Sequence, residues 1–225
     1  MNRYLLRFEK LGALRYTSHL DLLRLFRRTF KRAGVELQYS RGFNPLPKIG
    51  FAQPLSLGYT SISEYLEFET AMSYNEKQVI GLMNSSLPYG IRILNCRIMS
   101  DSEKSIASSV RLASYEVSMP EEYSIPTAEQ IEAYLDMEKI IVSKPVKKRR
   151  EVALVDIKPM IKSLSYVEKD GIDTILMKIN TGSQSNLNPE LLLISLYDFC
   201  KLPFQKGVSR IKRLELFKED GESLF

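Results

Sequence analysis

The spacing of apolar and polar residues changes along this chain, and each change marks an element. Residues 3–10 (RYLLRFEK) mix apolar and charged positions over the length of a strand. From 18 to 33 (SHLDLLRLFRRTFKRA) the spacing turns helical. Leu22, Leu25, Phe26, Thr29, Phe30 and Ala33 recur at helical intervals and form one apolar face. Ser18 supplies an N-cap, Asp21 the acid of a capping box, and Gly34 a stop. Residues 35–40 read as a strand. Residues 41–48 (RGFNPLPK) read as a loop, since Gly42, Pro45 and Pro47 continue neither regular structure. A short strand is predicted over 49–53. Between 63 and 70 (SEYLEFET) apolar and acidic residues alternate, the period of a half-buried strand. A helix over 75–87 and a strand over 91–99 (IRILNCRIM) complete the order β-α-β-β-α-β, that of the ferredoxin-like split unit.

A polar stretch at 100–109 follows, and then the order of elements recurs. Strands are predicted at 110–119 and 139–143, strand with a helical turn around Pro159 over 152–167, and strands at 172–180 and 208–218. Helices are predicted at 127–136 and at 189–200, the second with proline in its first turn, where its missing N–H costs nothing. The fold predicted is α+β, with two tandem ferredoxin-like (split βαβ) lobes and antiparallel sheets. Their bounds are 1–100 and 110–225, joined by a linker at 101–109.

Composition narrows the class. With 225 residues, 44% hydrophobic and 26% charged, the chain has enough apolar surface for a packed core. No window approaches the ~18 uncharged apolar residues of a membrane helix, and the charged start MNRYLLRFEK lacks the pattern of a signal peptide. A cytoplasmic protein without a membrane partner is expected. Cys96 and Cys200 sit in apolar runs without a CxxC neighbour, which suggests buried thiols in a reducing compartment. His19 is the one histidine, so neither a metal site nor a cofactor is expected.

Lys and Arg number 32 against 27 Asp and Glu, a net charge of +5, so the distribution of charge matters more than its sum. Arg24, Arg27, Arg28, Lys31 and Arg32 fall at i, i+3, i+4, i+7 and i+8, a single stripe opposite the apolar face, with Asp21 the one acid of the helix. Solvated stripes usually mix signs, so a one-sign stripe suggests contact with phosphates or an acidic partner; an ordinary wet face is the alternative. In the adjoining loop Gly42 allows close backbone approach, Phe43 could stack on a base, and Arg41 and Lys48 flank them. The other reading tucks Phe43 into the core. Arg24, Arg28, Arg41 and Lys48 are expected to converge on one concave basic surface, with His19 near its edge.

Three further features carry weaker signals. The run KPVKKRR at 144–150 reads as an exposed hairpin or loop, and its Lys147, Lys148, Arg149 and Arg150 could contact nucleic acid. TGSQSN at 181–186 is a turn ahead of a helix N-terminus, where backbone N–H groups could hold a phosphate, but it lacks the Gly-Lys-Ser/Thr ending of a nucleotide-hydrolysing loop. His19 could act as a general base. No Ser-His-Asp or Cys-His pairing follows from spacing, and a structural histidine at a helix start is the alternative.

The segments YTSHLD (16–21), Arg24 and Arg28, and YSRGFNPLPK (39–48), continued by PLSLG (54–58) and Glu64-Tyr65, resemble the signature of the bacterial radical SAM-linked protein family. DIKP (156–159) and Asn188-Pro189 extend the resemblance more loosely. Leu46 stands where His occurs in many members, and Asn188 where Arg is frequent. The resemblance implies a partner, a radical SAM protein encoded beside the chain or fused to it. The CxxxCxxC motif of that enzyme is absent here, which leaves the accessory role. The duplicated order also resembles, at fold level, the CRISPR repeat-processing endoribonucleases.

The expected function is that of a non-catalytic RNA-binding accessory module, holding tRNA or rRNA for a radical SAM modification enzyme. No DNA specificity is predicted. One alternative is a metal-independent endoribonuclease with His19 as base and Arg24 or Lys48 stabilising the developing charge. Another is a protein–protein adaptor that docks its basic stripe on an acidic face of the radical SAM protein.

Overall fold

Residues 2–145 and 152–225 are described by the computed structural model. They form a mixed α+β protein whose strands pair mostly antiparallel. The chain divides into two compact units, Met1–Val110 with Arg213–Phe225, and Arg111–Lys212. The last strand, β10 (Arg210–Phe217), begins in the second unit and ends in the first.

In the first unit β1 (Asn2–Lys10) lies between β4 (Ile91–Met99) and β3 (Thr60–Thr70), antiparallel to both, and β2 (Ile49–Phe51) pairs with β3. Alternation along β1 turns Tyr4, Leu6 and Phe8 to one face, joined by Leu66 and Phe68 of β3 and Ile91 and Ile93 of β4. Two helices pack there, α1 (His19–Arg32) through Leu22, Phe26 and Phe30, and α2 (Glu76–Ser86) through Val79 and Met83. The Phe8 and Phe26 rings meet edge to face at 4.9 Å. Each such buried side chain stabilises the fold by about 1.5–3 kcal/mol. On the opposite face, side chains of β1 and β3 bond to the unit's later segments. Arg3 donates to the Glu103 carbonyl at 2.9 Å, and Glu67 accepts from the N–H of Ile106, the first residue of the short α3 (Ile106–Ser109). Ile106 and Val110 are buried. The 101–109 segment thus packs as part of the first unit.

Two predicted elements differ. Residues 35–40 form single bridges, Leu37 to Thr70 and Tyr39 to Pro47, rather than a regular strand. Pro45 and Pro47 have no N–H to extend a ladder. The second is β3, predicted half-buried but buried along most of its length. Its acids are tolerated because each holds a cation: Glu64 with Arg213, Glu67 with Arg3, and Glu69 with Lys48.

In the second unit β9 (Ile172–Asn180) lies between β5 (Leu112–Ser118) and β8 (Ile161–Lys169), antiparallel to both. β6 (Ile141–Pro145) and β7 (Val152–Asp156) pair as a separate two-stranded ladder. The helical turn expected near Pro159 is a single 3-10 turn, Lys158–Met160. α4 (Ala128–Asp136) starts with a capping box between Thr127 and Gln130, and α5 (Pro189–Phe199) starts with proline behind an Asn188 cap. Tyr134 of α4 donates to Ser195 of α5 at 2.9 Å. Among the described residues no helix is long and apolar enough to cross a membrane.

Candidate functional site

The site is built on α1. Ser18 caps its start: the Ser18 Oγ accepts from the Asp21 N–H and donates to the Asp21 carboxylate at 2.7 Å. That bond and the neighbouring Arg24 hold the Asp21 carboxyl below its ordinary range. At the other end the Val35 N–H returns to the Phe30 carbonyl and the Gly34 N–H to that of Lys31, with Gly34 at φ +70°. This is a Schellman stop, sealed by the apolar pair Phe30 and Val35. With Leu22, Phe26, Thr29 and Phe30 buried, the cationic residues must face outward.

Their surroundings differ. Arg24 reaches Asp21 at 2.9 Å, an exposed pair that contributes little. Arg32 donates to the Ser86 carbonyl at 2.7 Å, a cation on the negative end of α2, and so ties the two helices together. Arg28 and Lys31 are exposed and have no ion-pair partner among the described residues. Arg27 is half-buried, and its Nε is buried without a hydrogen-bond partner among the described residues.

Two hollows flank the stripe. The larger, about 820 Å³, has Arg27, Arg28 and Lys31 along α1 and Glu36, Tyr39 and Pro47 among its other lining residues. The second, about 540 Å³, is lined by Arg24, Arg28 and Arg32 together with Ser86, Leu87 and Pro88. Arg28 lines both.

The loop is closed like a small hairpin. The Ser40 N–H donates to the Leu46 carbonyl at 2.8 Å, the Leu46 N–H to Ser40 Oγ at 3.0 Å, and the Lys48 N–H to the Gln38 carbonyl at 2.8 Å. Phe43 is fully exposed, so the core reading of that ring is excluded. Arg41 is also exposed but lines neither hollow. Lys48 turns away, its Nζ 2.6 Å from Glu69, and lines a third hollow of about 250 Å³ with Glu67 and Ile106. The expected convergence of Arg24, Arg28, Arg41 and Lys48 therefore does not form. Successive side chains of extended backbone point to opposite sides, so Pro47 can line the α1 hollow only if Lys48 leaves it. Tyr39, the bridge partner of Pro47, provides the aromatic ring instead.

His19 opens α1, is exposed, and lies edge-on to Phe51 at 5.2 Å. Among the described residues it has no hydrogen-bond partner, so nothing there orients it as a base. Lys147, Lys148, Arg149 and Arg150 lie outside the described residues. In the 181–186 turn the polar side chains bond one another, Thr181 to Asn186 at 3.0 Å, and the helix that follows is capped by its own Asn188. Burial, helped by Glu76, pushes the Cys96 thiol up to about 12. Among the described residues no three His, Cys, Asp or Glu side chains gather as metal ligands.

A family described as "Uncharacterized protein conserved in bacteria (DUF2344)" matches residues 3–189. This chain belongs to that family. The DUF2344 match takes in α1, the 41–48 loop and most of the second unit. No curated protein matches the chain. Among solved structures, a chain of "Crystal Structure of a Cbf5-Nop10-Gar1 Complex" is similar in fold, with a TM-score of 0.51 and 13% identity over 96% of this chain and 50% of that one. The present chain thus spans about half the length of that neighbour. "Crystal Structure of an Unknown Protein from Galdieria sulphuraria" aligns at a TM-score of 0.27 and 10% identity, covering 94% of this chain and 96% of that one.

The first unit also holds a charged cluster that sequence reasoning missed. Lys10 and Arg213 are each 1% exposed, and Glu64 is 3% exposed. Arg213 Nε donates to Glu64 at 2.8 Å and its Nη2 to the Gln53 carbonyl at 2.9 Å. Lys10 Nζ donates to the Thr17 carbonyl at 3.0 Å, one residue before the α1 cap. Burial pushes the Lys10 ammonium down, Glu64 opposes that and Arg213 adds to it. The cluster fixes where α1 starts. Arg3, Arg7 and Glu9 of β1 are charged as well, so Lys10 carries no local sign of its burial.

Proposed function

We propose that this chain is a non-catalytic RNA-binding accessory module, with tRNA or rRNA as its ligand class and a radical SAM modification enzyme as its partner. The observation that carries the reading is the Arg27–Arg28–Lys31 wall of the larger hollow, whose Arg28 and Lys31 have no ion-pair partner among the described residues. Like charges at helical spacing repel by a few tenths of a kcal/mol, about 0.2–0.5 per pair, and a phosphate backbone offsets that repulsion. The partner rests on the resemblance in residues 16–21 and 39–48. The order β4-β1-β3, with β2 on β3, supports a ferredoxin-like reading of the first unit, and β5-β9-β8 supports it in part for the second. A cytoplasmic location follows from an RNA ligand.

The endoribonuclease reading has less support, because His19 has no partner to orient it and Lys48 is held by Glu69. Ultraviolet crosslinking of the purified protein to cellular RNA, with the chelator-treated RNA run in parallel, tests the proposal. Adducts are expected in peptides spanning residues 24–48, with the RNA intact. Adducts confined to other regions, or none, would overturn RNA binding at this site. Cleavage lost on His19→Ala would favour the enzyme.

A further inference from the structure

The larger α1 hollow combines features that a duplex does not require. Its α1 wall carries Arg27, Arg28 and Lys31, and Tyr39, 52% exposed, lines it as well. The Tyr39 hydroxyl has no hydrogen-bond partner among the described residues, and neither has the buried Arg27 Nε. The Arg27 Nε is closed off from solvent as well as unpartnered, so the cations a ligand meets first are Arg28 and Lys31, both exposed. Arginine suits phosphate because its planar fork donates in pairs. The hollow's volume, about 820 Å³, lies within the ~300–1,000 Å³ of small-ligand sites. Glu36 is an acid at the same hollow, able to accept from an amino group of a base.

We infer that this hollow takes a single unstacked nucleotide of the RNA, its base against Tyr39 and its phosphate on Arg27, Arg28 and Lys31. The ligand class is therefore single-stranded or looped RNA. Paired bases stay inside their helix and present mainly phosphate and ribose, which would engage the cations but leave Tyr39 idle. Phe43, on the same closed loop and fully exposed, offers a ring for a neighbouring base. This inference rests on the RNA-binding proposal and narrows it.

The experiment is fluorescence anisotropy with two labelled probes, a short oligoadenylate and its duplex with oligouridylate. Wild type, Tyr39→Leu, Tyr39→Phe and Arg28→Ala are compared. Tyr39→Leu is expected to weaken the single strand about 10-fold, the scale of one base–aromatic contact. The duplex should be unaffected, and Tyr39→Phe should keep the wild-type affinity. Arg28→Ala should weaken both probes. If Arg28→Ala weakens both while Tyr39→Leu changes neither, or changes both equally, the nucleotide site is overturned and RNA binding stands. If wild type binds neither probe, the nucleotide site is overturned, and the crosslinking to cellular RNA decides the RNA-binding proposal separately. Should Tyr39→Leu not fold, 2-aminopurine in the single strand serves with wild type alone: quenching on binding supports stacking, and an unchanged signal overturns it.

Discussion

At the residue scale, cations have opposite fates by position. On α1, Arg28 and Lys31 remain exposed, and their helical spacing made that face legible. Arg213 and Glu64 are buried against each other although 149 positions apart, and nothing local in the sequence announces the pair. Tyr39 stayed hidden for a related reason: its bridge to Pro47 decides which of Pro47 and Lys48 meets α1, and that pairing belongs to the folded loop. The buried pair makes a firm stability prediction. Glu64→Gln leaves the Arg213 charge uncompensated and should cost about 3–5 kcal/mol. Replacing both, Glu64→Leu with Arg213→Met, should recover most of that loss. Urea unfolding of the two variants measures it; a Glu64→Gln midpoint equal to wild type would show that the pair does not matter to the fold.

At the element scale, α1 was the most legible part of the chain because its signals are local. Apolar period, Ser18 cap and Gly34 stop lie within one stretch of sequence, and all three are present in the helix. The 35–40 segment was less legible because a strand depends on partners, and its neighbours lack N–H groups. β3 was read correctly in place but not in burial, since its acids alternate like a wet face while distant cations neutralise them. The caps and the stripe should separate under mutation. Gly34→Ala meets no atom within 4 Å, so its cost comes from φ +70° alone and should be about 1 kcal/mol. Arg28→Ala removes like-charge repulsion and should leave stability unchanged or raise it by about 0.2–0.5 kcal/mol. Thermal melts check both, and a destabilised Arg28→Ala would mean that the residue supports the fold rather than a ligand.

At the scale of the whole molecule, the order of elements was readable from the sequence almost throughout, because each element announces itself by period and punctuation. The division of the chain was not fully readable. Arg213–Phe225 returns to the first unit, and only the folded pairing of Arg213 with Glu64 reveals this. The central claim is that the α1 surface holds the phosphate backbone of RNA. The salt dependence of RNA affinity tests it most directly, measured for wild type, Arg28→Ala and Lys31→Ala. The logarithm of the binding constant should fall linearly with the logarithm of salt concentration, and each substitution should make that slope shallower by about 0.7–1. Affinity that does not change with salt, or slopes identical in all three proteins, would contradict the account.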